Sequence, residues 1–186
     1  PGRQLVMHPQ PDDIWRIDLQ LNRFADPGVE KQPENVRPRI ARMLGHDKFD
    51  FEWISLYKFQ CRRMNQFIHG RVIFAGDAAH QVSPFGARGA NSGLEDAENL
   101  AWKLDRVLRG TSPEALLESY HIERSAAADE NIRESTRSTD FMAPNSHQEA
   151  RLRKAVLSLA RETEFGKRMI NGGRLSVPSV YDSPLS

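Results

Sequence analysis

The chain has one cysteine, Cys61, so no internal disulfide holds the fold. That scarcity fits a reducing, cytoplasmic setting. Long apolar runs are also missing. Nothing approaches the ~20 residues a membrane helix needs. Residues 1–20 contain "HPQPDD" and no apolar core of a secretory signal. Neither charge sign is in excess: the formal net charge is +1 over 186 residues. No overall field favours nucleic acid or a membrane surface, and neither is expected as a partner. Repeats and low-complexity tracts are absent. The first residue is Pro1 rather than Met, as expected of a processed piece or a fragment. What is present is ordinary for a globular chain: 39% hydrophobic and 27% charged residues.

Residues 4–8, "QLVMH", and 14–21, "IWRIDLQL", read as strands. In the second, Trp15, Ile17, Leu19 and Leu21 alternate with polar residues, the period of a half-buried strand. "PQPDD" between them carries turn chemistry, so a hairpin is expected. "FADPGVEKQP" reads as a loop. Val36, Ile40, Met43 and Leu44 suit a short helix ending at Gly45, with Pro38 in its first turn or the helix starting after it. Residues 51–61, "FEWISLYKFQC", read as a further strand, with Trp53, Tyr57, Phe59 and Cys61 on one face and Ile54 and Leu56 on the other. The coarse expectation for residues 4–61 is an antiparallel sheet.

The pattern changes at "RVIFAG", residues 71–76, a short continuous apolar run that suits a strand buried on both faces. A helix is expected from about Ser92 to Arg109. Leu94, Ala97, Ala101, Leu104 and Leu108 form its apolar stripe, Ser92 and Glu95 its capping box, and Gly110 its C-terminal stop. Ser112 and Pro113 then open a helix to about Phe141, ended by Pro144. "SHQE" at 146–149 is a second capping box, opening a helix to about Arg161. The tail "NGGRLSVPSVYDSPLS" reads as an extended linker or terminus.

The order strand, Gly76-Asp77, glycine loop, helix has a physical logic. In open α/β sheets ligands bind beyond the carboxyl ends of strands, and Asp77 sits there. Its carboxylate can accept hydrogen bonds from ligand hydroxyls. Gly76, Gly86 and Gly89 let the backbone turn and a ligand approach closely. The helix that follows presents free N–H groups and a positive dipole end, which favour a carbonyl oxygen or an anion. A phosphate P-loop is excluded, because no Gly-Lys-Ser/Thr follows.

"GRVIFAGDAAHQVSPFGARGANSGLEDAENLAWKL", Gly70 to Leu104, resembles the second flavin-binding motif of the FAD-dependent aromatic hydroxylases, the single-component flavin monooxygenases typified by p-hydroxybenzoate hydroxylase and phenol hydroxylase. "SYHIER" at 119–124 resembles the Tyr and Glu-Arg pair that follows that helix in the family. "YDSPLS" resembles the segment before an extra C-terminal domain in some members. The resemblance implies an α/β (mixed α+β) fold: the C-terminal part of an FAD-binding Rossmann-like domain plus part of an antiparallel substrate-domain sheet. It implies a partial substrate-domain sheet over 1–69, the FAD-binding part over 70–142, and a helix with extended tail over 143–186.

By the same resemblance, Asp77 would bind a ribityl hydroxyl of FAD, beside Gly76. Pro84 would lie near the reaction face of the flavin, with Gly86 in the same loop. Gly89, Ala90 and Asn91 would offer backbone N–H groups to the flavin N1–C2=O edge. The implied activity is hydroxylation of a small phenolic or other aromatic substrate with O2, through a flavin C4a-hydroperoxide, with NAD(P)H as reductant. The family's G-x-G-x-x-G fingerprint and its Asp-Gly middle motif are absent, so the chain alone is expected to bind FAD weakly or not at all and to be inactive. Two other readings stay open: a same-fold flavoprotein with other oxygenation chemistry, and a non-catalytic truncated remnant that self-associates, as a homodimer, through an unpaired sheet edge.

Plainer readings stand beside these. His80 is a candidate catalytic residue, and on the plainer reading a buried or capping histidine. Arg88 is a solvated arginine, or one that meets an acidic substrate or NAD(P)H. Trp53, Tyr57 and Phe59 pack in a core, or line a substrate pocket. Cys61 is an inert small hydrophobe. Trp102 is core, and the charges of 123–137 form a solvated helix face. No metal site is expected.

Overall fold

Two stretches of alternating residues near the start of the chain pair as a hairpin. In this computed structural model, β1 (Leu5–Pro9) runs antiparallel to β2 (Trp15–Leu19), with Leu5 opposite Leu19 and Pro9 opposite Trp15. The turn puts Asp12 and Asp13 in the left-handed region, φ 61° and 57°, which a short polar side chain tolerates better than a bulky one. The structure describes residues 5–21, 24–144, 146–170 and 179–185. The chain divides into two units, residues 1–58 and 59–186.

In the first unit the segment read as a loop contains one helical turn. Asp26 Oδ1 accepts the Gly28 N–H at 2.7 Å and caps α1 (Pro27–Glu30). Helix α2 (Pro33–Leu44) starts earlier than the periodicity implies, because Pro33 suits its first turn. Pro38 therefore lies inside it rather than in the first turn. Gly45, at φ 75°, ends the helix as expected. Residues 51–61 do not form the expected strand. Among the described residues no second strand pairs with them, so their alternation has no sheet to bury into. Trp53 and Tyr57 are 81% and 84% exposed, and Phe59 is exposed too. The expectation that these aromatics form a core is thus overturned. At the start of the segment the Arg37 guanidinium lies 4.7 Å and 5.3 Å from the ring centres of Phe49 and Phe51.

In the second unit the apolar run at 71–76 forms only a short strand. β5 (Val72–Ile73) pairs with β4 (Ile68–His69) across a turn at Gly70. β3 (Arg62–Arg63) pairs with β6 (His80–Gln81). The strand covered on both faces is a correction: among the described residues β5 has one neighbour, and Val72 is exposed. The rest is helical, in α3 (Arg88–Leu108), α4 (Leu116–Met142), α5 (His147–Glu162) and α6 (Glu164–Ile170). The mixed helix-and-strand class holds, with shorter strands than the sequence implies.

Helix boundaries follow local chemistry. Ser146 and Glu149 form the expected reciprocal capping box. Pro144 follows the end of α4, and Gly110, at φ 69°, follows the end of α3. Regular α4 begins at Leu116 rather than beside Ser112, because residues 113–118 first turn through i→i−3 bonds, such as Leu116 N–H to Pro113 C=O at 3.0 Å. Of the tail read as extended, residues 171–178 lie outside the described residues; residues 179–185 contain no helix or strand. Gly166 lets α6 approach α5, since a Cβ there would sit 2.5 Å from the Ala160 nitrogen. Among the described residues no helix is long and apolar enough to cross a membrane.

The apolar core of this unit is small. Phe67, Ala79, Tyr120 and Ala128 are buried together, flanked by Met64, Ile68, Ile73, Phe74 and Leu100. Tyr120 donates its hydroxyl to the Phe74 carbonyl at 2.8 Å and so ties α4 to the end of β5. The face of α3 turned inward is polar: Arg88, Ser92, Asp96 and Lys103 are buried. The stripe expected to be inside points outward, with Leu94 and Leu108 at 70% and 76% exposure and Trp102 exposed. α4 also departs from a solvated charged face, for Glu123, Arg124, Asn131 and Ser135 are buried on it.

Candidate functional site: a glycine turn and an uncapped helix end

The segment from Ala75 to Asn91 builds two features. Gly76 has φ 57°, a conformation that strains any residue with a Cβ. It opens a single 3₁₀ turn over Gly76–Ala78, closed by Ala79 N–H to Gly76 C=O at 2.9 Å. The turn rests on α3: a Cβ on Gly76 would lie 3.9 Å from the Gly93 Cα. Asp77 stands exposed on this turn, and its carboxylate takes no hydrogen bond from any described residue.

The second feature is the start of α3. Ala87 precedes it at φ 52°, ψ 37°, with no side-chain cap. A non-glycine residue in the left-handed region stores strain of about 1–2 kcal/mol. The N–H groups of Gly89 and Ala90 have no intrahelical acceptor by geometry. Ala90 and Asn91 are exposed and Gly89 is half-buried. The Asn91 side-chain amide donates to the Ala87 carbonyl at 2.7 Å and steadies the loop. Gly86, at φ 92°, makes the approach turn, and Pro84 is exposed just before it. An acceptor carboxylate and a set of free donors at a positive helix end thus lie on one continuous stretch. Such a surface suits a ligand with hydroxyls and electron-rich carbonyl oxygens.

Behind this surface lies a layer of buried charge centred on Asp96, a residue the sequence reading did not single out. Asp96 is fully buried. Its Oδ2 accepts the Gly76 N–H at 2.8 Å and meets His80 Nε2 at 2.6 Å, while its Oδ1 accepts Arg124 Nε–H at 2.6 Å. Burial pushes the carboxyl up, but the hydrogen bonds from His80, Arg124 and Gly76 outweigh it and hold Asp96 below its ordinary range. Arg124 also donates to Ser92 O and Oγ at 3.1 Å and 3.2 Å, to Glu95 at 3.0 Å, and to the Tyr181 hydroxyl. Glu123 accepts from Lys103 at 2.6 Å, from Asn99 at 2.7 Å and from Ser183. Burial opposes its ionisation too, and those donors again prevail.

His80 is therefore the buried histidine expected of it, oriented by Asp96. Arg88 is not solvated. It is 5% exposed and donates to Asn131 Oδ1 at 2.9 Å. Cys61 is exposed and lies 3.9 Å from the Ser135 hydroxyl. The overlooked signal was the helical spacing of Arg88, Ser92, Asp96, Asn99 and Lys103, one polar face with a matching set at 120–124. Among the described residues no cluster of metal-ligating side chains is present.

Comparison with known proteins gives the family. A family model described as an FAD binding domain matches residues 10–135. The chain is 34% identical over 158 residues to a 3-(3-hydroxy-phenyl)propionate/3-hydroxycinnamic acid hydroxylase of Comamonas testosteroni, covering 84% of this chain and 27% of that one. It is 41% identical over 109 residues to a probable NADH-specific resorcinol 4-hydroxylase of Rhodococcus jostii (strain RHA1), covering 59% and 20%. It aligns with the solved flavin-dependent monooxygenase PieE, crystallised with FAD and substrate, at TM-score 0.64 and 26% identity, over 92% of this chain and 31% of that chain. The chain thus spans between 20% and 27% of the length of these two curated relatives.

Proposed function

The chain belongs to the FAD binding domain family of the FAD-dependent aromatic hydroxylases, and from that premise we propose that it forms the part of a monooxygenase that grips the ribityl chain and the N1 edge of FAD. The single observation that carries the proposal is the pairing of a free Asp77 carboxylate with an uncapped α3 on one stretch of backbone. These residues fit the group. Asp77 would accept from a ribityl hydroxyl. The N–H groups of Gly89 and Ala90, with Asn91 behind them, would face the N1–C2=O edge. Pro84 and Gly86 would bound the ring in the same loop.

Bound there, FAD supplies the redox chemistry by which O2 is activated for aromatic hydroxylation. The chain's own contribution is electrostatic and steric. The first turn of α3 holds oriented donors where negative charge collects, and preorganised donors lose little when charge appears. NAD(P)H is the proposed reductant; the resorcinol 4-hydroxylase relative, described as NADH-specific, supports that choice. The proposed substrate is a small phenol or related aromatic, in keeping with the hydroxylases it resembles.

We propose further that this grip is one half of a site completed by a longer polypeptide. Three observations support it: the coverage of the relatives, the missing G-x-G-x-x-G, and the outward apolar stripe of Leu94, Ala97, Ala101 and Leu108 on α3. FAD titration of the 186-residue chain, followed by backbone amide shifts, tests both points. The expected result is weak binding that perturbs Gly76, Asp77, Gly89 and Ala90 and spares α5 and α6. Shifts confined to α5 and α6, or none at millimolar FAD, would refute the site. Stoichiometric yellow protein on purification would refute the half-site.

A further inference from the structure

The described end of the chain, residues 179–185, has no helix or strand, yet two of its side chains reach the buried charge layer. The Tyr181 hydroxyl accepts an N–H from Arg124, whose guanidinium lies 5.9 Å from the tyrosine ring centre. The Ser183 hydroxyl donates to Glu123 Oε1. Glu123 and Arg124 are neighbours on α4, and each passes its contact on to α3. Glu123 Oε2 takes Lys103 and Asn99, and Arg124 takes Asp96. The second oxygen of Asp96 then holds the Gly76 N–H at the start of the exposed turn that carries Asp77.

We propose that Tyr181 and Ser183 are positioning residues for the Gly76–Asp77 turn, acting through Arg124 and Asp96. The inference rests on the reading that this turn grips a flavin. Arg124 is fully buried, so each guanidinium N–H needs an acceptor. Its partners are fixed on α3, except for the hydroxyl that the chain end supplies. Without that hydroxyl the planar guanidinium must turn to satisfy the orphaned donor, and its Nε–H moves away from Asp96 Oδ1. Asp96 then settles between His80 and Gly76 alone. The Gly76 N–H bond to a charged oxygen is short, at 2.8 Å, and charge-assisted bonds of this kind are about twice as strong as neutral ones. Its geometry sets where the turn begins, and so where Asp77 points. Ser183 works on the same layer, holding Glu123 so that Lys103 and Asn99 keep α3 in register with α4. The chain end is thereby a clasp on the flavin-facing turn, with no contact to the ligand required.

Residue-by-residue amide exchange in the full chain without FAD tests the clasp directly. In the Y181F/S183A variant, which keeps the ring and removes both hydroxyls, Gly76 exchange should speed about three- to tenfold. Leu104 and Val107 on α3 should exchange as in the parent, which separates positioning from general destabilisation. D96N, which keeps an acceptor oxygen without its charge, should speed Gly76 exchange at least as much. Unchanged Gly76 exchange in Y181F/S183A overturns the proposal, whether or not D96N folds. The second readout is FAD titration followed at the Asp77 amide. A dissociation constant at least about threefold weaker in Y181F/S183A supports the proposal, and an equal one overturns it. If Gly76 exchange rises but no form of the chain responds to FAD, the clasp stands and the flavin reading of the turn falls.

Discussion

Arg124→Met is the sharpest probe of the buried charge layer. Methionine keeps an unbranched stem of similar reach and removes the charge. The arginine is fully buried, and its Nε bonds Asp96 Oδ1 at 2.6 Å. Its loss leaves the Asp96 carboxylate, also fully buried, with Gly76 N–H and His80 as remaining partners. Removing one member of a buried, hydrogen-bonded ion pair costs about 3–5 kcal/mol, because the other charge stays desolvated and under-compensated. For a chain of this size each kcal/mol moves the melting temperature by roughly 2–4 °C, so a fall of about 6–20 °C is expected. Urea unfolding followed by far-ultraviolet circular dichroism gives the free energy. The double variant D96N/R124M removes the orphaned charge as well, and its loss should be smaller than the sum of the two single losses by about 1–3 kcal/mol. A loss under about 1 kcal/mol for R124M, or strict additivity in the double variant, would refute the claim that a dry ion pair joins α3 to α4.

Ala87→Gly relieves the left-handed strain before α3 and should stabilise the chain by about 0.5–1 kcal/mol, the strain relief being partly offset by glycine's larger unfolded-state entropy; a destabilised variant in the same urea assay would count against strain at that cap. Gly166→Ala places a Cβ 2.5 Å from the Ala160 nitrogen, so α6 must move off α5 at a cost of about 1–3 kcal/mol, visible as lost amide protection in α6; full protection would contradict the close approach. Stability should also depend on pH. Asp96 and Glu123 sit below their ordinary range, mainly because the hydrogen bonds they accept outweigh burial. Their contribution is therefore fully present above the unfolded values of about 4 and is lost as pH falls from there through the folded values. His121 is pushed down by burial and by Arg63, so a shallower loss begins as pH falls below about 6.5. Urea midpoints across pH for the parent, D96N and H121Q check both signs, and a parent whose stability rises on acidification would refute them.

What the sequence made legible was local chemistry. The Ser146–Glu149 capping box, the stop at Gly45 and the hairpin turn at Asp12-Asp13 each depend on a few adjacent residues. The order turn, loop, helix over Gly70–Leu104 was legible for the same reason, although α3 starts at Arg88 rather than at the expected Ser92–Glu95 capping box. Three features were not legible, each for its own physical reason. The alternation at 51–61 signals a strand only if a partner strand is there to cover one face. The periodicity of α3 shows that the helix has two unlike faces, but periodicity does not say which one is inside. Apolar residues usually win that contest; here Asp96, Lys103 and Arg88 win it because α4 supplies a partner for each charge. The clasp at Tyr181 was hidden for a third reason. Its contact to Arg124 spans 57 residues of sequence, and a tyrosine in a Pro- and Ser-rich tail carries no local sign of its partner.

A charged interior between α3 and α4 suits a turn proposed to face a flavin better than an apolar one would. Apolar side chains exchange neighbours with little penalty, so they hold volume but fix orientation loosely. Asp96 has two oxygens, and their directions assign Arg124 to one side and Gly76 with His80 to the other. Moving the turn by even an ångström lengthens a buried bond to a carboxylate and leaves a donor unpaired. The layer therefore converts position into energy steeply, and it does so directly beneath the residue that presents Asp77. That coupling is why loss of a distant hydroxyl is expected to be felt at Gly76 while α3 itself stays folded.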